Sequence, residues 1–171
     1  MKIANASAFW GDDNLAALEI VENVPDIDFI TFDYLAELTL SILAIQKEKD
    51  SNLGYAHDFI EVVKSLEGKT KAKLIANAGG LNPLGLKKAL EKITKRKVVA
   101  ISGDEVLDQL KQSPNDPLFQ NLETRQSLST ILKDLKTANA YMGADPIVKA
   151  LQEGAEIVVT GRVADPSLTL A

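Results

Sequence analysis

The chain has 171 residues, 46% of them hydrophobic, with a single histidine, no cysteine and a formal net charge of -5. That size and apolar fraction suit one packed core, and the lack of cysteine excludes a disulfide frame, a thiolate nucleophile and Cys-ligated zinc or iron–sulfur centres. The acidic balance argues against general nucleic-acid binding. No apolar run is long enough to cross a membrane and the start, Met1-Lys2-Ile3-Ala4-Asn5, lacks a signal-peptide segment, so a cytoplasmic protein is the expectation.

In chain order, a strand is predicted over 2–8, a turn at Phe9-Trp10-Gly11-Asp12-Asp13-Asn14 and a helix over 13–23. A strand over 28–32 leads to Asp33-Tyr34-Leu35-Ala36-Glu37 and a helix over 34–49, whose apolar stripe is Leu35, Leu38, Ile42, Leu43 and Ile45. Ser51-Asn52-Leu53-Gly54 breaks that helix, and another spans 55–66 before Gly68. Strand 72–76, helix 83–94, strand 97–102 and helix 104–112 continue the alternation. Ser113-Pro114-Asn115-Asp116-Pro117 interrupts it, and Ser127 to Leu132 fits strand and helix equally. A short strand over 137–141, a helix from Asp145-Pro146 through Leu151 and a strand over 156–160 follow. Asp165-Pro166 opens a final helical turn that reads as the start of a longer helix, and hence of a longer protein. The fold class is α/β: one Rossmann-like domain over 1–171, an open, mainly parallel sheet with helices on both faces.

Five apolar runs end in polar or glycine-bearing turns. In a parallel sheet these turns gather at the carboxyl edge, where open α/β folds bind ligands. The most informative is Asn77-Ala78-Gly79-Gly80-Leu81-Asn82-Pro83. Its glycines permit unusual backbone angles and close ligand approach. Asn82 is a natural N-cap and Pro83 suits the first helical position. A helix N-terminus presented this way favours a phosphate or carboxylate. The lysines and arginines crowded between Lys64 and Lys97 fall at helix ends and before strands, and read as a solvated face on the opposite edge.

Arg162, beside Gly161 and after a strand, is the strongest binding residue, because a guanidinium grips a carboxylate or phosphate bidentately. Asn77 and Asn139 supply neutral donors and acceptors. Gly11, Asp12, Gly79, Gly80, Asn82, Thr160 and Gly161 complete the candidate ligand-binding set. Asp33, Glu37 and Asp165 are the candidate catalytic carboxylates; Asp33 and Glu37, four apart, are expected to share one helix face. The same pair could hold a divalent cation with Asp12, Asp13 or Asp104, although the sequence requires no cofactor and assigns no metal ligand. The alternative for Asp33 is an N-cap, and for Arg162 a pair with Asp165. His57 is expected at a helix surface or in packing, and Trp10 either walls a pocket or fills the core. No nucleophile elbow or phosphate-binding P-loop is present, and the first turn lacks the spaced glycines of a dinucleotide fingerprint.

Phe9-Trp10-Gly11-Asp12, Asp33 to Leu40, Asn77 to Pro83, Ala138 to Ala144 and Thr160 to Leu168 together resemble the acyclic terpene utilisation (AtuA-like) family, in order and spacing. Members are usually much longer, so the resemblance is to their N-terminal part. It implies bacterial degradation of acyclic terpenes beside acyl-CoA carboxylases and other acyl-CoA enzymes. The expectation is therefore a catabolic enzyme domain that binds a small anionic or acyl-CoA metabolite for acid–base hydration or elimination. The alternative is a non-catalytic subunit or interaction domain supporting an acyl-CoA carboxylase-type pathway. Expected partners are that substrate and either a second copy of the chain or an acyl-CoA enzyme, with no membrane.

Overall fold

Runs such as Phe29-Ile30-Thr31-Phe32 and Ile157-Val158-Val159-Thr160 combine β-branched and aromatic residues, which fit a pleated, buried surface. In the computed structural model, which describes residues 1–171, they become β2 (Phe29–Phe32) and β5 (Ile157–Thr160). With β1 (Ile3–Ser7), β3 (Lys73–Ala76) and β4 (Val98–Ile101) they form one five-stranded sheet in the order β1-β2-β3-β5-β4. Every neighbouring pair is parallel. The period of two is visible in the core: Leu74, Ala76, Ile157 and Val159 enter one apolar cluster, while Ile75 and Val158 between them enter another.

Connectivity explains the two clusters. The first three crossovers all advance across the sheet in one direction, so right-handed connection places their helices on one face. Accordingly α1 (Ala16–Asn23), α3 (Asp58–Leu66) and α4 (Pro83–Leu90) all pack into the first cluster, through Ala17, Phe59, Val63, Leu86 and Leu90. The last crossover runs backwards, from β4 to the inner position of β5, so its helix lies on the other face. That helix, numbered α6 (Asp145–Gln152), packs Ile147 and Ala150 on Val158 and Ile75. The sheet is thus covered on both faces, as expected. The reversal also makes a topological switch between β3 and β5, the crevice where open α/β sheets place ligands.

Two further helices leave the carboxyl edge without crossing the sheet: α2 (Glu37–Lys49) and the short α5 (Leu107–Gln112). The last element, α7 (Ser167–Leu170), buries Leu168 in the second cluster. Several expected elements begin later than the sequence pattern indicates: α2 at Glu37, α3 at Asp58 and α5 at Leu107. The strand expected over 137–141 is reduced to an isolated bridge between Glu105 and Asn139, and the ambiguous stretch 127–132 is a single 3₁₀ turn, Leu128–Thr130. Both lie in a crossover fastened by local side-chain hydrogen bonds, such as Ser127 Oγ to the Pro114 carbonyl (3.0 Å).

The glycine turn after β3 is packed, which corrects the expectation that its glycines clear space for a ligand. A Cβ on Gly79 would stand 2.5 Å from the Thr160 carbonyl, and one on Gly80, at φ +52°, would collide with Leu43 of α2. Leu81 N donates to Gly54 O (2.8 Å) and Ala56 N to Ala78 O (2.9 Å), so segment 54–56 seals the turn. Gly79→Ala should therefore cost about 2–3 kcal/mol, as overpacking does, and lower Tm by roughly 5–10 °C. Gly143→Ala, with open space around it, should stay within about 0.5 kcal/mol; equal melting of the two variants contradicts this packing.

Candidate functional site

The centre of the carboxyl edge is built on Asn77, at the end of β3. Its buried amide reaches sideways to the end of β2, where Oδ1 accepts from Tyr34 N (2.6 Å) and Nδ2 donates to Asp33 Oδ1 (2.6 Å). These bonds hold Asp33 to Ala36 in an extended stretch. The helix begins only at Glu37, with Ala36 (φ -125°, ψ 173°) as an N-cap whose side chain accepts nothing. Asp33 and Glu37 therefore do not share a helix face, and Asp33 is not an N-cap. Glu37 is a first-turn acid, favoured there by the helix dipole. Asp33 keeps one carboxylate oxygen free of protein hydrogen bonds.

Arg162 approaches the same stretch from β5. Its guanidinium donates to the Leu35 carbonyl and, through Nη2, to the Tyr141 hydroxyl (2.9 Å), and it lies 4.3 Å from the centroid of the Tyr141 ring. Asp165 pairs with it at 3.2 Å; the arginine side chain is 6% exposed and the carboxylate 67%. Tyr141 in turn donates to Glu37 Oε1 (3.3 Å). The backbone of Arg162 is fixed by Asp104, whose buried carboxylate accepts from Arg162 N (2.7 Å) and from Asn139 Nδ2 (2.8 Å). Gly161 is glycine because a Cβ there would strike this carboxylate. Asn139 Oδ1 is buried without a partner. On the far side of Asp104 the edge opens into a cleft of about 320 Å³ between Gly80-Leu81-Asn82 and Ser102-Gly103.

Charge follows this geometry. The Glu37 carboxyl is held below the usual glutamate range by its own backbone N–H, by the Tyr141 hydroxyl and by the Arg162 charge. Burial pushes the Tyr34 hydroxyl far above the usual tyrosine range, so it stays neutral.

Asp33, Glu37, Asn77, Arg162 and Asp165 thus converge around one stretch of backbone. The other candidates are employed elsewhere. Asp12 closes its own turn at the end of edge strand β1, accepting from Ala8 N (3.0 Å) and Asp13 N (2.8 Å), bonds that lower its pKa; Gly11 supplies the φ of +94°. Asn82 caps α4 through Gly85 N (2.9 Å) and holds the Leu53 carbonyl (3.0 Å). Thr160 is buried, its hydroxyl turned to Gly161 O (2.8 Å). No three His, Asp or Glu side chains gather as a metal-binding group, so the alternative use of Asp33 and Glu37 with Asp12, Asp13 or Asp104 as cation ligands has no assembled cluster behind it. His57 stacks on Tyr55 at 4.5 Å, and Trp10 packs against the first core cluster. Arg96 and Lys97 bond to Glu156 and Glu153 at the opposite edge of the sheet.

Tyr141 escaped the candidate set, and Asp104, considered only as a helper to a cation, is instead a positioning residue for Arg162. Their available signals were the Tyr141-Met142-Gly143 and Ser102-Gly103-Asp104 turns.

A pH measurement checks the Tyr141–Glu37 contact. Because the Glu37 pKa is depressed on folding, its contribution to stability is present above the ordinary glutamate pKa and is lost as pH falls through the lowered value. Tyr141→Phe removes one cause, so the Glu37 midpoint in an NMR titration should move up toward the ordinary value. An unchanged midpoint contradicts the contact.

Comparison with curated proteins and with solved structures finds no match. A family model described as acyclic terpene utilisation family protein AtuA matches residues 1–171. Matched along its whole length, with the family's turns assembled at one sheet edge, the chain belongs to the AtuA family of acyclic terpene utilisation proteins.

Proposed function

We propose that the carboxyl edge binds a small anionic metabolite of acyclic terpene breakdown, an acyl-CoA or its free acid, in the cytoplasm, and adds or eliminates water by acid–base chemistry. One observation carries the reading: Arg162 is a buried guanidinium whose only side-chain counter-ion, Asp165, is largely in solvent. A carboxylate or phosphate arriving from solvent can take the place of Asp165, whose carboxylate is free to turn back into water, and a bidentate contact to arginine is among the strong charge-assisted bonds.

Two neighbours suit the chemistry. Asp33, anchored through one oxygen by Asn77, serves in this reading as the base that takes a proton from water as the water oxygen bonds to an electron-poor carbon. The hydroxyl of Tyr141, which accepts from Arg162 and donates to Glu37, in this reading turns from Glu37 and delivers its proton to the adjacent carbon, the resulting phenolate resting beside the Arg162 charge. Elimination is the same path reversed.

Thermal unfolding with coenzyme A, branched acyl-CoAs and their free acids tests this. A ligand at about a hundred times its Kd should stabilise the chain by roughly 2.7 kcal/mol. Arg162→Lys keeps the charge but loses the fork, and should weaken binding about 10- to 100-fold with folding intact. Asp33→Asn should leave binding in place and lower turnover by about 10²–10⁴. No shift with any of these ligands overturns the proposal, and a stable complex with an acyl-CoA carboxylase in its place would establish the scaffold role.

A further inference from the structure

Asp104 uses only half of its carboxylate inside the protein. Oδ2 accepts from Arg162 N (2.7 Å) and Asn139 Nδ2 (2.8 Å), two neutral donors. Oδ1 accepts from nothing in the chain, although the residue is only 3% exposed. The fully buried side-chain atoms that lack a partner are Gln46 Oε1 and Asn139 Oδ1, so Asp104 Oδ1 keeps a share of that small exposed surface. Asp104 lines the cleft of about 320 Å³ beside the Arg162 centre. A carboxylate so far withdrawn from water, with neutral partners on one oxygen only, is costly unless a strong donor reaches the other.

The other walls select the donor. The start of α4 lines the same cleft: Asn82 caps Gly85 N, Pro83 has no N–H, and Leu84 N has no partner in the chain. Glu105 and Lys47 line it too, the lysine with Nζ on the Leu81 carbonyl (2.7 Å). An anion here would meet the carboxylates of Asp104 and Glu105, and the Lys47 ammonium disfavours a second cation. Most of the wall is polar or glycine, which disfavours an acyl chain. The group that fits is neutral, donates to Asp104 and accepts from Leu84 N, which describes a set of hydroxyls. The volume lies at the small end of ligand pockets, with room for a ring or two. We propose that the cleft is a subsite for a neutral sugar ring, free or as the ribosyl group of a nucleoside. One hydroxyl donates to Asp104 Oδ1 and another accepts from Leu84 N. Gly103, at φ +122° with open space where a Cβ would stand, leaves the approach to Asp104 clear. The subsite rests on Asp104 and the cleft walls alone, so it stands apart from the acyl ligand and the acid–base chemistry proposed above.

Amide-resolved NMR of the whole chain, titrated with ribose, adenosine and adenine, tests this. Ligands of this size bind weakly, so shifts should saturate with a dissociation constant of about 0.1–10 mM. They should centre on the amides of Leu84, Gly103 and Arg162, the last because Asp104 joins it to the cleft. Adenine, which lacks the sugar, should leave these amides unmoved. Saturation by ribose identifies a free-sugar site, and saturation by adenosine without ribose a nucleoside site. Asp104→Asn keeps one oxygen for the two internal donors and sets an NH₂ group in place of Oδ1. It should weaken binding about 10- to 100-fold, as loss of a hydrogen bond to a charged group does. Ser102 is exposed on the cleft rim and has no part in the Asp104 bonds. Ser102→Leu should therefore fold as before and lose the shifts, and it decides the matter where Asp104→Asn fails to fold. The proposal is overturned if neither ribose nor adenosine moves these amides, or if adenine moves them as adenosine does. It is equally overturned if a folded Asp104→Asn and Ser102→Leu both bind undiminished.

Discussion

The carboxyl edge depends on one constraint: strands that pair along their length leave their last backbone groups without ladder partners, and buried groups of that kind must be satisfied. Here side chains from neighbouring strands do it. The Asn77 amide holds Tyr34 N, Arg162 holds the Leu35 carbonyl, and Asp104 holds Arg162 N. These bonds run across the sheet from the loop after β2, over β3 and β5, to the loop after β4. Each, if broken, leaves a buried donor or acceptor at a cost of about 1–3 kcal/mol. The order β1-β2-β3-β5-β4 makes the chain of bonds geometrically available, because it sets β3 and β5 side by side at the centre.

The same constraint governs charge. A guanidinium removed from water loses hydration that neutral hydrogen bonds only partly replace, so a buried arginine needs negative partners close by. Arg162 has the exposed Asp165 in direct contact, Glu37 reached through Tyr141 and the face of the Tyr141 ring. The carboxylates and the exposed Tyr141 ring all contribute at the solvent boundary, which leaves the guanidinium fixed in direction while its counter-ion remains in water. The opposite edge shows the other solution, where Arg96 is tied to the backbone carbonyls of Ala72 and Glu156 and burial lowers its pKa. One arginine closes a structure; the other is left with an exchangeable partner.

Much of the fold was legible because it is written in period. Apolar runs ending in glycine or polar turns mark all five strands, and the alternation of Leu74, Ile75 and Ala76 between two cores follows from the pleat. Residues 113–144 were not legible, since their structure is carried by capping contacts. Asp116 accepts from Leu118 N and Asn121 from Glu123 N and Thr124 N, and none of these leaves a hydrophobic period. In the site, Arg162, Asn77 and Asp33 stood out as residue types after strands. Their partners did not, because two of them, Tyr34 N and the Leu35 carbonyl, are backbone atoms that any residue would supply. The glycine pair misled for a related reason: a sequence shows that a Cβ is missing but not whether protein or ligand occupies its place. At Gly79 and Gly80 the occupants are Thr160 and Leu43.

Helix α2 connects these themes. Its anchors lie on the loops of the carboxyl edge: Leu43 on Gly80, Lys47 Nζ on the Leu81 carbonyl (2.7 Å), and Arg162 on the stretch that leads into it. The glycine turn, built without a Cβ at Gly80, is therefore the seat on which α2 rests, and its depth sets where Glu37 and the free N–H groups of the first turn stand relative to Arg162. A side chain at Gly80 would lift the helix and carry Glu37 with it. The glycine turn thus acts on the site from below, by fixing the height of a helix, and the groups that face solvent above it are Asp33, Tyr141 and Asp165.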